Sequence, residues 1–140
     1  MNDSSRNAGN ANQDEIYCDQ DPTIYDRSPD WEGRSWYRMM GPAGTQMPES
    51  IIEPYHCGTL LSGWLNGNHP TEIGVVVDGS VCFNWDGNSC YESSDIRIMK
   101  CETYFLYFLP NTPGCRNRYC AETPTTGKRK NRDLGLQALI

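Results

Sequence analysis

The chain has 140 residues with 37% hydrophobic content, enough for one compact domain and too little for two. Twelve basic against 18 acidic residues give a net charge of −6, and from Cys18 to Glu122 the balance is 7 basic minus 14 acidic, or −7. An acidic surface repels phosphates and anionic lipid, so neither nucleic acid nor membrane insertion is expected, and no run of about 18 apolar residues is long enough to span a bilayer.

In chain order, Met1 to Tyr17 is polar, rich in Asn and Asp and without periodicity, and residues 1–17 are expected to be disordered. This segment lacks the basic start and apolar run of a signal peptide, so the sequence reads as an excised module or an incomplete gene model. Ser35 to Met40 is aromatic-rich and reads as a strand closed by the turn cluster Gly41, Pro42, Ala43, Gly44. Gly74 to Val77, then Asp78 and Gly79, then Ser80 to Trp85 reads as a β-hairpin, because Asp-Gly tolerates the positive φ angles of a type I′ turn. Asp86, Gly87 and Asn88 form the next turn. Asp95 to Cys101 alternates Ile96 and Ile98 with Arg97 and Met99, the period of a half-buried strand. Tyr104 to Leu109 is continuously apolar and predicts a central buried strand ended by Pro110 and Pro113. Trp36, Cys82, Ile98 and Phe105 are expected in the core. Residues 123–140 form a polar tail with the basic cluster Lys128, Arg129, Lys130 and Arg132, ending on Leu134, Leu136, Leu139 and Ile140.

Seven cysteines in so short a chain indicate an oxidising compartment. From Cys82 onward their gaps of seven, ten, thirteen and four residues do not repeat the paired knuckles of a zinc site. Three disulfides among Cys57, Cys82, Cys90, Cys101, Cys115 and Cys120 are expected, with Cys18 the odd cysteine because it lies outside the dense block. The connectivity stays open. The fold class is a small mostly-β, disulfide-stabilised domain over residues 18–122, with antiparallel strands, hairpins, long loops and little helix.

A series of ordered anchors then stands out: Trp36, Tyr37, Arg38, Met39; Gly44 to Pro48; His56 to Thr59; Trp64 to Pro70; Val81, Cys82, Phe83; Cys90; Met99 to Cys101; Tyr104 to Leu109; Pro113 to Cys115; and Arg118, Tyr119, Cys120. Over about residues 31 to 121 this resembles the cysteine-rich, eight-to-ten-cysteine domain of uromodulin-like proteins. The resemblance implies an extracellular, non-catalytic interaction role, in parents that carry EGF-like or zona-pellucida modules alongside. Two family cysteines are replaced here, at Ile51 and at Ser89, and around Pro29 and Asp30, where relatives carry a third, either the segment is shortened or its cysteine has gone. The paired loss at the Ile51 and Ser89 positions implies that these two form one bridge in relatives.

Trp64, Asn66, Gly67, Asn68 and His69 are the candidate binding residues, a tryptophan followed by a polar turn that reads as a surface loop. The plainer alternative is a structural turn with Trp64 in the core. The resemblance implies an N-glycosylation sequon at Asn66 in relatives, which Asn68 removes here by supplying an amide where a hydroxyl is needed. His56 beside Cys57 does not make a nucleophile pair, since neighbours on a strand point to opposite faces. The acidic run Asp19, Asp21, Asp26, Asp30 and Glu32 reads as a solvated flank, and neither metal nor cofactor is expected. Two readings stay open: an adhesion or ligand-presenting module of a larger secreted or cell-surface glycoprotein, binding an extracellular protein or glycan, or a stand-alone secreted effector with Trp31, Trp85 or Tyr91 stacking on sugars.

Overall fold

The computed structural model describes residues 1–124. Six strands, β1 (Ser35–Tyr37), β2 (Leu61–Leu65), β3 (Val76–Trp85), β4 (Asn88–Lys100), β5 (Phe105–Leu109) and β6 (Asn117–Tyr119), form one sheet in the order β1-β5-β4-β3-β2-β6. All neighbours are antiparallel except β2 and β6. The only helical turns among the described residues are two short 3₁₀ segments, Ser4–Arg6 and Gly41–Ala43. The mostly-β expectation is therefore met. The polar tail lies outside the described residues from position 125 onward.

One face of the sheet carries the core. Along β4 the predicted alternation holds, with Ser94, Ile96 and Ile98 buried and Asp95 and Arg97 exposed. Val81, Phe83, Tyr107, Leu109 and Tyr119 join the two isoleucines, and loop residues Trp31, Met39 and Met47 close over them. The same period of two sends Trp36 to the opposite face, where it is 41% exposed, so the expectation of a buried Trp36 is wrong by one position: Tyr37 faces inward instead. Phe105, at the start of β5, is only half-buried and packs on the His69 ring at 4.4 Å between centroids. Cys82 and Ile98 are buried as expected.

The Asp78–Gly79 hairpin is also corrected. β3 runs straight through these residues, Asp78 opposite Arg97 and Gly79 opposite Ile96. A Cβ on Gly79 would lie 3.2 Å from Ile98 and 3.3 Å from Ile96, so this glycine gives two isoleucines room in the core and makes no turn. The reversal falls one Asp-Gly pair later, where Asp86 and Gly87 have φ of 52° and 74°, both positive as a type I′ turn requires.

Residues 1–17 are ordered, contrary to the expectation from composition. Asp3 caps the first 3₁₀ turn by accepting from the Ser5 backbone N–H at 2.9 Å. Arg6 is fully buried: it donates to both Asp19 oxygens at 2.5 and 3.0 Å, pairs with Asp30, and donates to the Tyr119 carbonyl at 2.8 Å. Asn7 and Ala121 form a parallel bridge. The segment is fixed by paired charge, a cap and a backbone bridge, none of which a reading based on apolar content registers. Burial disfavours the Arg6 charge, but Asp19 and Asp30 outweigh it and hold the guanidinium above its ordinary value. The Asp30 carboxyl, raised by burial and lowered more strongly by Arg6, is held at about 2.

Three disulfides form: Cys18–Cys115, Cys57–Cys120 and Cys82–Cys90. Cys18 is therefore not the odd cysteine; Cys101, half-buried just after β4, is the free one. Cys18 lies outside the sequence block yet beside β6 in space, since Asp19 N–H donates to Asn117 O at 3.0 Å and Thr112 N–H to Asp19 O at 2.8 Å. A bridge spanning 97 residues removes much unfolded-state freedom, about 4–5 kcal/mol in the chain-entropy account.

Alkylation of the unreduced, denatured chain should label one thiol, in the peptide containing Cys101; label on Cys18 or Cys115 would contradict the pairing. Arg6→Ala leaves the buried Asp19 without its ion-pair partner and should lower stability by about 3–5 kcal/mol in denaturant unfolding. An unchanged midpoint would show that the Arg6 pairs contribute nothing.

Candidate functional site

The loop after β2 splits the predicted binding residues into two groups. Asn66, Gly67 and Asn68 are exposed, with Gly67 at φ 146° and open space where a Cβ would stand. Trp64 is buried, 9% exposed, opposite Cys82 in the strand pairing, and its indole N–H donates to Ser89 O at 2.9 Å. It holds β2 against the start of β4 and presents no surface to a ligand.

His69 is likewise a structural residue. Its Nδ1 lies 2.6 Å from Glu49 Oε2, its Nε2 lies 2.7 Å from the Tyr107 hydroxyl, and its backbone N–H donates to the same Glu49 oxygen at 2.7 Å. A carboxylate only accepts, so Nδ1 carries the proton and Nε2 accepts from Tyr107 O–H, while that hydroxyl accepts from the Met47 N–H at 3.0 Å. Burial lowers the His69 pKa against the opposing pull of Glu49, which favours the neutral ring in this chain of bonds. Burial also raises the Tyr107 hydroxyl, keeping it protonated. The chain of bonds pins the 66–70 loop to the core side of β5.

The outer face of the sheet holds a different constellation. One row runs across four strands: Asp78 opposite Arg97, Arg97 opposite Phe108, Phe108 opposite Trp36. Two positions along, on the same face, stand Asp95 and Arg34. Arg34, Asp78, Asp95, Arg97, Phe108 and Pro110 border a cleft of about 500 Å³. Trp36 stands beside it, packed on Phe108 at 5.4 Å between centroids. The guanidinium of Arg34 sits 5.2 Å above the Phe108 ring, that of Arg97 5.9 Å from it, and that of Arg38 3.9 Å above Tyr104. Stacking of this kind orients a guanidinium without consuming its N–H donors. Among the described residues, Arg34, Arg97, Asp78 and Asp95 form no ion pair with any partner. Two cations, two anions and an aromatic platform thus face solvent in one cleft.

The sequence contains a signal for this face that the strand reading passes over: Arg34, Trp36 and Arg38 alternate at period two, cation, ring, cation, with Ser35 and Tyr37 between them. The aromatics offered as sugar platforms are placed differently. Trp31 is fully buried, stacked on Tyr37 at 4.9 Å with its N–H donated to Gln20 O. Trp85 is half-buried against Tyr55, and Tyr91 is exposed but outside the cleft. The acidic run is not a uniformly solvated flank, since Asp19 and Asp30 are the partners of Arg6. Among the described residues no group of three or more His, Cys, Asp or Glu side chains is placed to hold a metal ion, and no helix is long and apolar enough to cross a membrane.

Residues 37–121 match the cysteine-rich domain of the uromodulin-like family. The chain is 33% identical over 133 residues to the pancreatic secretory granule membrane major glycoprotein GP2 of Rattus norvegicus, covering 92% of this chain and 23% of that protein. Similarity to the same glycoprotein of Canis lupus familiaris is 34% over 133 residues, covering 94% and 24%. Uromodulin of Rattus norvegicus is 31% identical over 96 residues, covering 68% of this chain and 15% of that protein. The chain spans about a quarter of the length of the GP2 relatives. Arg34 and Trp36 precede the matched stretch, whereas Asp78, Asp95, Arg97 and Phe108 lie within it.

Expressed through a secretory pathway, the chain should bear no glycan at Asn66, and Asn68→Thr should add one on this exposed turn, read as a glycosidase-sensitive mass shift on the Asn66 peptide. A well-folded Asn68→Thr chain with Asn66 unmodified would show that the turn is inaccessible.

Proposed function

This chain belongs to the uromodulin-like cysteine-rich domain family, whose members are non-enzymatic structural or interaction modules, and from that premise we propose that it presents the outer sheet face as a ligand-binding surface of an extracellular glycoprotein. The observation that carries the reading is the cleft itself, where Phe108, with Trp36 beside it, adjoins arginine and aspartate side chains that the fold leaves without ion-pair partners. Charged groups oriented by packing and unspent within the chain are suited to meeting complementary groups on another molecule. Support for rigidity comes from β3 and β4, joined by the Cys82–Cys90 bridge near their shared turn.

The natural setting in this reading is the secretory pathway and beyond, consistent with the disulfides and with a relative named for the secretory granule membrane. The parent protein would carry neighbouring modules, EGF-like or zona-pellucida, with this domain supplying contact to an extracellular protein or glycan. A stand-alone secreted carbohydrate-binding protein would use the same face, and extension of the gene in both directions separates the two.

The test uses the whole chain, secreted from cells and probed against an array of secreted and cell-surface glycoproteins carrying their native glycans. Trp36→Ala and Arg97→Gln are exposed substitutions that should leave the fold unchanged by far-ultraviolet circular dichroism and thermal unfolding and reduce binding at least about tenfold, the effect of losing about 1.4 kcal/mol of contact. Binding that is unaffected by both substitutions would place the ligand surface elsewhere.

A further inference from the structure

Resting on that reading of the outer face, we propose that the cleft takes an acidic saccharide, a pyranoside bearing a carboxylate or sulfate. The cleft sets two cations over Phe108 and two anions on β3 and β4, with Asp78 directly across from Arg97. Arg34 and Arg97 converge on the Phe108 ring, at 5.2 and 5.9 Å from its centroid. A planar guanidinium presented this way binds an oxyanion in bidentate fashion. On β3 and β4, Asp78 and Asp95 neighbour Arg97 but make no ion pair with any described residue. Ionised carboxylates only accept, and sugar hydroxyls are the neutral donors that suit them.

Past Phe108 in the row, beside the cleft, the exposed Trp36 offers an apolar surface of the kind against which the C–H face of a pyranose packs. The cleft volume of about 500 Å³ falls within the range of small-ligand sites. A run of phosphates would meet Asp78 and Asp95, and a basic peptide would meet the two arginines. A ligand that carries both an anionic group and hydroxyls satisfies both. The arrangement is also unusual in charge: a segment with twice as many acidic as basic residues gathers Arg34, Arg38 and Arg97 on one face. Opposing charge elsewhere discourages anions in general, so the preference is local to the cleft.

The experiment is saturation-transfer NMR and calorimetry on the whole secreted chain with 3′-sialyllactose, 3′-sulfolactose and lactose as probes. Both acidic probes should bind, with lactose at least about tenfold weaker, and added salt should weaken the acidic probes selectively. Arg34→Gln with Arg97→Gln should abolish the preference over lactose, and Asp78→Asn with Asp95→Asn should weaken all three probes alike. One acidic probe binding without the other identifies carboxylate or sulfate as the recognised group and supports the proposal. Equal binding of lactose and the acidic probes overturns it. So does absence of saccharide binding in a chain that still binds glycoproteins through Trp36, which would leave the outer face as a polypeptide surface. Array binding insensitive to Trp36 and Arg97 fails the functional reading, and the inference falls with it.

Discussion

A guanidinium buried at Arg6 ties together three parts of the chain that are far apart in sequence. It reaches Asp19 and Asp30 in the flank before β1 and the carbonyl of Tyr119 in β6. Asp19 in turn accepts from the Tyr119 N–H at 2.9 Å, so one carboxylate serves both the arginine and the sheet. Breaking such a pair leaves a charge in a dry site, which costs far more than the pair contributes when intact. Arg118 lies against the same cluster, donating to Ser5, Ser28 and the Cys57 carbonyl, with burial and the Arg6 charge lowering its pKa to about 10 despite Asp19, Asp30 and Asp3. The Cys18–Cys115 and Cys57–Cys120 bridges flank this polar centre. One side of the domain is thus stabilised by charge and covalent bonds, and the other by the apolar face of the sheet.

What could be read from the sequence was whatever depends on neighbours in the chain. The alternation of Ile96 and Ile98 with Arg97 specified β4, the apolar run Phe105 to Leu109 specified β5, and Asp86-Gly87 marked a real reversal. Asp78-Gly79 offered the same local signal, but Ile96 and Ile98, packed against it across the sheet, decide its conformation. The pairing of Cys18 was hidden for a related reason. Its partner is 97 residues away, and the contacts that align them are backbone bonds from Asp19 to Asn117 and Thr112, which no spacing rule encodes.

The candidate site was half legible. The exposed turn Asn66 to Asn68 could be anticipated from its polar residues, whereas the roles of Trp64 and His69 could not, because each is fixed by a distant partner: Ser89 for the indole, Glu49 and Tyr107 for the imidazole. The outer cleft draws on β3, β4, β5 and the residue just before β1, so its bordering groups are dispersed between positions 34 and 110. Only the cation, ring, cation alternation at Arg34, Trp36 and Arg38 carried it locally.

The Cys18–Cys115 bridge has a mechanical meaning. Residues 6–8 and Ala121 are joined as a parallel pair, Ala8 N–H to Ala121 O at 2.7 Å and Ala121 N–H to Arg6 O at 3.2 Å. Tension pulling the two ends of the domain apart loads this pair in shear, the direction in which both hydrogen bonds must fail together. Should it yield, the force passes from Cys18 to Cys115 through sulfur and bypasses every strand from β1 to β5. The outer face therefore sits on a covalently short-circuited loop and keeps its shape while the polypeptide on either side is stretched.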